Sequence, residues 1–149
     1  MDHNMFCFQC EQTAGCTGCT SRGVCGKDAQ TAQVQDRLTG ALIGLARAAD
    51  TSPDAGPETW QLMIEGLFAT LTNVNFDPDS LNALAGRVRA EKQRLVPDCA
   101  VCTAPCGRTG DYDLAQLWGA QEDIRSLKSL LLFGSRGMAA YAYHAMVLG

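Results

Sequence analysis

The sequence predicts a mainly α-helical fold, a bundle of about four helices behind an amino-terminal cysteine-rich loop. Three observations lead there. Apolar residues recur at helical spacing in several stretches between Ala29 and Gly149. Stretches rich in proline, aspartate and glycine, TSPDAGPE and NVNFDP, separate them. Most of the region before Lys27 is instead a run of cysteines and glycines, too dense and too glycine-rich to seed a hydrophobic core.

At 149 residues with 46% hydrophobic content, the chain is long enough for one domain with a real core. The division expected is a loop over 1–27 and a helical bundle over 28–149, together one domain. A net charge of -4 leaves no basic footprint for DNA or RNA, so no nucleic-acid partner is expected. The start, MDHNMFCF, has an acidic residue and lacks the apolar core of a secretory signal, which points to the cytoplasm. In that reducing compartment, eight cysteines suit metal ligands and free thiols better than a disulfide framework.

The first element is the loop CFQCEQTAGCTGCTSRGVCGK, Cys7 to Lys27. Four of its cysteines are spaced Cys7-x2-Cys10-x8-Cys19-x5-Cys25, with Cys16 inside the long spacer. Thiolates are soft ligands for zinc, copper(I) or iron–sulfur clusters, and four complete either a tetrahedral zinc or a cubane. Structural zinc usually uses two short C-x2-C knuckles, whereas only Cys7 and Cys10 form one here. Unequal spacers suit a loop that wraps a larger inorganic core, which favours iron–sulfur over zinc. Gly15, Gly18, Gly23 and Gly26 let the backbone take positive φ and bring N–H donors to sulfur, while Arg22 and Lys27 add positive charge.

The helices follow. Asp28 can cap a first helix over Ala29 to Ala49, with Val34, Leu38, Leu42, Leu45 and Ala49 as its core stripe. Pro57 suits the start of a second, running to about Thr72 with Trp60, Ile64, Leu67 and Leu71 on one face. Asp77 and Pro78 open a third, with Leu81, Leu84, Val88 and Leu95 inside. Its basic residues Arg87, Arg89, Lys92 and Arg94, with Glu91 among them, form the wet side; a docking patch for an acidic electron donor is the sharper alternative. Pro97 ends that helix. From Gln121 onward Ile124, Leu127, Leu131, Met138, Tyr141 and Ala145 mark one face of a helix apolar nearly all round, which predicts a place at the centre of the bundle. Arg136 and His144 argue against a membrane span, and a lone histidine is weak evidence for a ligand.

A second cysteine group, Cys99-x2-Cys102-x3-Cys106, lacks a fourth local ligand and the proline of a bacterial ferredoxin run. Reduced structural or redox-active thiols are the favoured reading there, ahead of a second metal site.

The wording of these motifs also resembles a family. FCFQCEQT at Phe6 to Thr13, GCT at Gly18 to Thr20 and GVCGK at Gly23 to Lys27 are similar to the amino terminus of the hybrid cluster proteins, also called prismane proteins or hydroxylamine reductases. PCGRTGDYDLAQLW at Pro105 to Trp118 and DIRSLKSLLLFGSRGMAAYAYHA at Asp123 to Ala145 resemble later parts of the same first domain. The resemblance implies a 4Fe-4S cubane on Cys7, Cys10, Cys19 and Cys25. It also implies that a hybrid iron–sulfur–oxygen cluster, held by His, Glu and Cys residues, belongs to later domains, and no position here matches those ligands. A nearly all-apolar last helix likewise suggests an amino-terminal piece of something longer, or a partner chain.

The resulting expectation is an electron-relay domain. It would take electrons from a redox donor and pass them to the rest of the protein, where hydroxylamine, or nitric oxide, is reduced. A zinc-stapled helical module and a thiol redox protein built on Cys99, Cys102 and Cys106 are the alternatives from other classes.

Overall fold

The computed structural model describes residues 5–10, 15, 17–96 and 110–149. Among the described residues, five helices follow the cysteine loop: α1 (Ala29–Thr51), α2 (Pro57–Ala69), α3 (Pro78–Leu95), α4 (Leu114–Trp118) and α5 (Glu122–Leu148). The fold is mainly α, and among the described residues the one β feature is an isolated antiparallel bridge between Cys7 and Cys19.

Local chemistry sets the helix starts. Asp28 accepts a hydrogen bond from the Thr31 N–H at 2.8 Å, satisfying one of the orphan donors of the first turn of α1. Pro57 and Pro78 sit in the first turns of α2 and α3, where a missing N–H costs nothing. Asp77 and Asp113 cap α3 and α4 by accepting from Asp79 and Ala115. The short α4 was not foreseen from the sequence.

The core lies where α1 packs along α3 and across α2. Leu38, Leu42 and Leu45 of α1 are buried completely or nearly so, with Leu81 and Val88 of α3 against the same core. Burying each leucine contributes about 1.5–3 kcal/mol. The predicted stripes of α1 and α3 are therefore the real ones.

Two helices depart from expectation. On α2 the buried positions are Thr59, Leu62, Gly66 and Ala69, and Trp60 is exposed. The helix turns its small residues to α1: a Cβ on Gly66 would lie 2.6 Å from a methyl carbon of Leu42. On α5 the correction is larger. The helix is peripheral, packed against α2 and α4, and its buried residues are Arg136 and Ala139. Leu127, Leu131, Met138 and Tyr141, read as its core face, are exposed. The face turned inward carries Arg136, Ala139 and Tyr143, whose ring stacks on Phe68 of α2 at 4.5 Å. No helix among the described residues is long and apolar enough to cross a membrane.

Residues 110–113 return the chain to the middle of α1. The Tyr112 N–H donates to the Gly40 carbonyl at 3.0 Å, and Asp111 pairs with Arg89 and Lys92 of α3. Arg87 pairs with Glu65 and Arg94 with Glu91, so the basic side of α3 is an ion-pair network with internal partners. That disfavours a free basic docking patch. Exposed pairs of this kind contribute about 0–1 kcal/mol each.

Gly40 is the tightest point of this return, since an added Cβ would collide with the Tyr112 carbonyl oxygen. G40A should therefore push residues 110–113 off α1 and destabilise the chain by about 1–3 kcal/mol, the usual cost of overpacking. Urea denaturation checks this; a variant as stable as the parent would show that the return segment yields freely.

Candidate metal centre

Residues Met5 to Gln9 run extended enough for side chains to alternate. Met5, Cys7 and Gln9 turn inward and are buried, while Phe6 and Phe8 face the other way and meet Trp118 of α4 at 5.0 and 4.9 Å. Arg125 lies over the Trp118 ring at 4.7 Å and donates to its carbonyl. Aromatic packing on one side thus fixes which way Cys7 points on the other.

Cys7 and Cys19 exchange both backbone hydrogen bonds, at 3.0 and 2.8 Å. In such an antiparallel pair the two residues stand opposite each other, with Cβ atoms on the same side and about 4.5–5.5 Å apart. Both cysteines are buried against Ala32 and Ala29 in the first turn of α1. Gly18, at φ 125°, makes the approach possible: a Cβ there would also strike the Phe6 ring at 2.6 Å.

Cys10 and Cys25 are half-buried and, like Cys7 and Cys19, free of disulfides. Cys10 is near enough to Cys7 to act on it electrostatically. Cys25 belongs to the turn closed by the Gly26 N–H donating to the Gly23 carbonyl and the Gly23 N–H donating to the Lys27 carbonyl. Gly26 takes a positive φ of 89° there; Gly23, expected to do likewise, does not. The structure thus brings Cys7 and Cys19 together, and no group of three or more His, Cys, Asp or Glu side chains among the described residues is gathered as a metal-holding set. Cys16, Cys99, Cys102 and Cys106 lie outside the described residues. His144 is exposed, with its ring nitrogen on the Ala140 carbonyl, and takes no part.

The donor chemistry suits a thiolate-bound group. Burial pushes the Cys7 thiol up, and the Gln9 N–H and the Lys27 ammonium oppose that shift. The ammonium, itself buried, lies 3.9 Å from the Cys7 sulfur and donates to the Gln9 side-chain carbonyl at 3.0 Å. A cation and an amide facing a sulfur lower the cost of negative charge on it, which any metal bound there would require. Of the two basic residues singled out in the sequence, Lys27 is the one that reaches a cysteine; Arg22 donates to the Gly26 carbonyl.

The sequence reading missed the rest of this shell. Gln9 donates to Asp36 of α1 at 2.5 Å and to the Ala32 carbonyl. Arg136 of α5 is buried to 1% exposure and donates to the Gln9 carbonyl at 3.1 Å, to Thr39 at 2.9 Å and to Thr70 at 3.1 Å. The available signal was the mere presence of a charged residue in an otherwise apolar stretch of α5, which periodicity alone reads as outward.

Residues 5–149 match the family described as the Prismane/CO dehydrogenase family. The chain belongs to that family. Its relatives include proteins named hydroxylamine reductase from Desulfitobacterium hafniense (strain Y51), 39% identical over 98% of this chain, and from Clostridium perfringens, 40% identical over 98%. A third, from Methanocella arvoryzae, is 39% identical over 97%. This prismane-family chain spans about 30% of the length of those first relatives.

Asp36 gives the site a pH signature. Burial pushes its carboxyl up to about 6, against the opposing pull of Gln9, Lys27 and Arg136, with Asp113 adding to the rise. An unfolded aspartate titrates near ~3.9. Between those values Asp36 binds more protons in the folded state than in the unfolded one, so its contribution to stability falls as pH rises from about 4 to about 6 and is then level. D36N should remove that slope. Melting temperatures across this range test it, and an unchanged slope in D36N would show that the carboxyl ionises freely.

Proposed function

We propose that this chain is the electron-relay part of an iron–sulfur oxidoreductase of the hydroxylamine reductase type. In this reading, residues 1–27 form the cofactor loop and residues 28–149 its helical housing, acting as one unit. Cys7, Cys10, Cys19 and Cys25 would hold a 4Fe-4S cluster. The observation that carries the proposal is the reciprocal backbone pair between Cys7 and Cys19. It joins two cysteines separated by the long spacer of the loop, which supports a loop folded around a shared centre, and the unequal spacers favour a cluster over two zinc knuckles.

When bound, such a cluster supplies one-electron transfer. The chain's own residues do the rest. Met5, Ala29 and Ala32 exclude water from the Cys7 and Cys19 side, and Lys27 offsets negative charge at Cys7. The aromatic contacts of Phe6 and Phe8 with Trp118 hold the segment that carries Cys7 and Cys10.

Reduction of hydroxylamine to ammonia and water consumes two electrons and two protons at an N–O bond. A one-electron relay cannot finish that reaction, so the proposal places substrate chemistry, on hydroxylamine or nitric oxide, at a hybrid cluster in the remaining length of a protein like its relatives. A redox donor supplies the electrons, and the cytoplasm is the compartment in which such thiols stay reduced.

Anaerobic reconstitution of the 149-residue chain with iron and sulfide should give a brown protein with roughly four irons. C7S and C19S should each lose most of that iron, C10S and C25S should weaken retention, and C16S should keep it. A colourless protein holding stoichiometric zinc through the same cysteines would replace this reading with a structural zinc module. Hydroxylamine turnover by the reconstituted chain alone would defeat the division of labour.

A further inference from the structure

Arg136 is the largest fully buried side chain among the described residues, and it comes from α5, 127 positions from the residue it bonds in the cysteine loop. Burial lowers the guanidinium to about 10, which still leaves it charged at neutral pH. A buried cation is strongly disfavoured unless its charge is met and its donors are used. The donors are used: Nε and Nη2 reach the hydroxyls of Thr70 and Thr39, and Nη1 reaches the Gln9 carbonyl. The charge is less simply met. Among the described residues no carboxylate lies within ion-pair distance of it. The negative groups that act on it are the half-buried carboxyl of Asp36 and the sulfurs of Cys7 and Cys10.

Gln9 lies between Cys7 and Cys10. Its carbonyl is held by Arg136, its side-chain oxygen by Lys27 and its side-chain NH2 by Asp36 and Ala32, so every polar atom of the residue other than its N–H is fixed by the helical body or by Lys27. Fixing Gln9 fixes the peptide that joins the two cysteines. The shell behind them then holds two cations, Lys27 and Arg136, against one carboxyl, Asp36. That excess of positive charge favours negative charge on the sulfurs beside it.

We propose that Arg136 is a positioning residue for the cysteine loop: it reaches from the last helix to clamp the Cys7–Cys10 segment and sets a fixed positive charge beside its thiolates. The assignment deepens the iron–sulfur reading and rests on it for the electrochemical half alone. The clamp follows from the hydrogen bonds whatever the loop binds. A centre held by Cys7 and Cys10 accepts an electron more readily with that charge behind it, because reduction adds negative charge at short range in a poorly screened interior.

Two measurements on the 149-residue chain test the two halves. In hydrogen exchange, R136M should release amides of residues 5–10 and Cys19 at least about tenfold faster than the parent, since it loses hydrogen bonds from a charged donor. Exchange within α3 should not change. After reconstitution, the midpoint potential of R136M should fall by about 59 mV, a tenfold less favourable one-electron reduction. R136K keeps the charge and loses part of the fork, so its potential should stay with the parent while its loop exchange rises. A role confined to holding α5 on α2 would lower the melting temperature of both variants and move neither the loop-to-α3 exchange ratio nor the potential; that result overturns the proposal. Should R136M lose its helical circular dichroism, R136K decides by the same ratio, a faster loop supporting the clamp and an unchanged one refuting it. If the parent chain binds no iron, the iron–sulfur reading fails while the exchange experiment still judges the clamp.

Discussion

Everything in this structure takes its register from the burial of α1. Its first turn carries Ala29 and Ala32 under the Cys7–Cys19 pair, its third turn presents Thr39 to Arg136 and the Gly40 carbonyl to Tyr112, and its leucines anchor α2 and α3. One long apolar helix therefore supports the cysteine loop and serves as the backbone of the bundle. The loop has little apolar surface of its own, so its geometry is borrowed from a body whose stability comes from elsewhere. Met5 is the exception, since it carries the loop's entry strand into the core beside Cys7.

How much of this was legible depends on which force decides each element. α1 and α3 bury one face against a single dominant neighbour, so periodicity alone located Leu38, Leu42, Leu81 and Val88. α2 lies between α1 and α5 and divides its contacts; close approach at Gly66, which no hydrophobicity pattern records, chose its inner face. α5 misled for the opposite reason. Apolar residues surround it, and the side turned inward was selected by a guanidinium with three hydrogen bonds and by the stacking of Tyr143 on Phe68. Periodic reading weighs polar residues as outward, so Arg136 pointed it the wrong way round.

The cysteine loop was legible as a metal motif from spacing, but its internal pairing was not. Which cysteines meet is settled by the alternation of Met5, Cys7 and Gln9 against Phe6 and Phe8, and by Trp118 waiting on α4. Both signals are present in the sequence. They become meaningful only once α4 is known to fold back over the loop, and a five-residue helix capped by Asp113 is too short for hydrophobic period to announce.

Electrostatics ties the two halves of the molecule together. A ring of buried Lys27 and Arg136 and half-buried Asp36 around Gln9 would be a liability in a protein whose loop carried neutral thiols, because each desolvated charge costs more than an exposed ion pair returns. The same ring becomes favourable if the sulfurs beside it are thiolates. Cys7 shows the tension directly: burial raises its thiol while Lys27 and the Gln9 N–H work to lower it. A metal held by Cys7 would require its thiolate, and Lys27 and Arg136 would then face a permanent negative charge in a medium that screens it weakly. A hydrophobic shell that merely buried these cysteines would have needed none of the three charges, so the polar ring is better understood as part of the site than as part of the core.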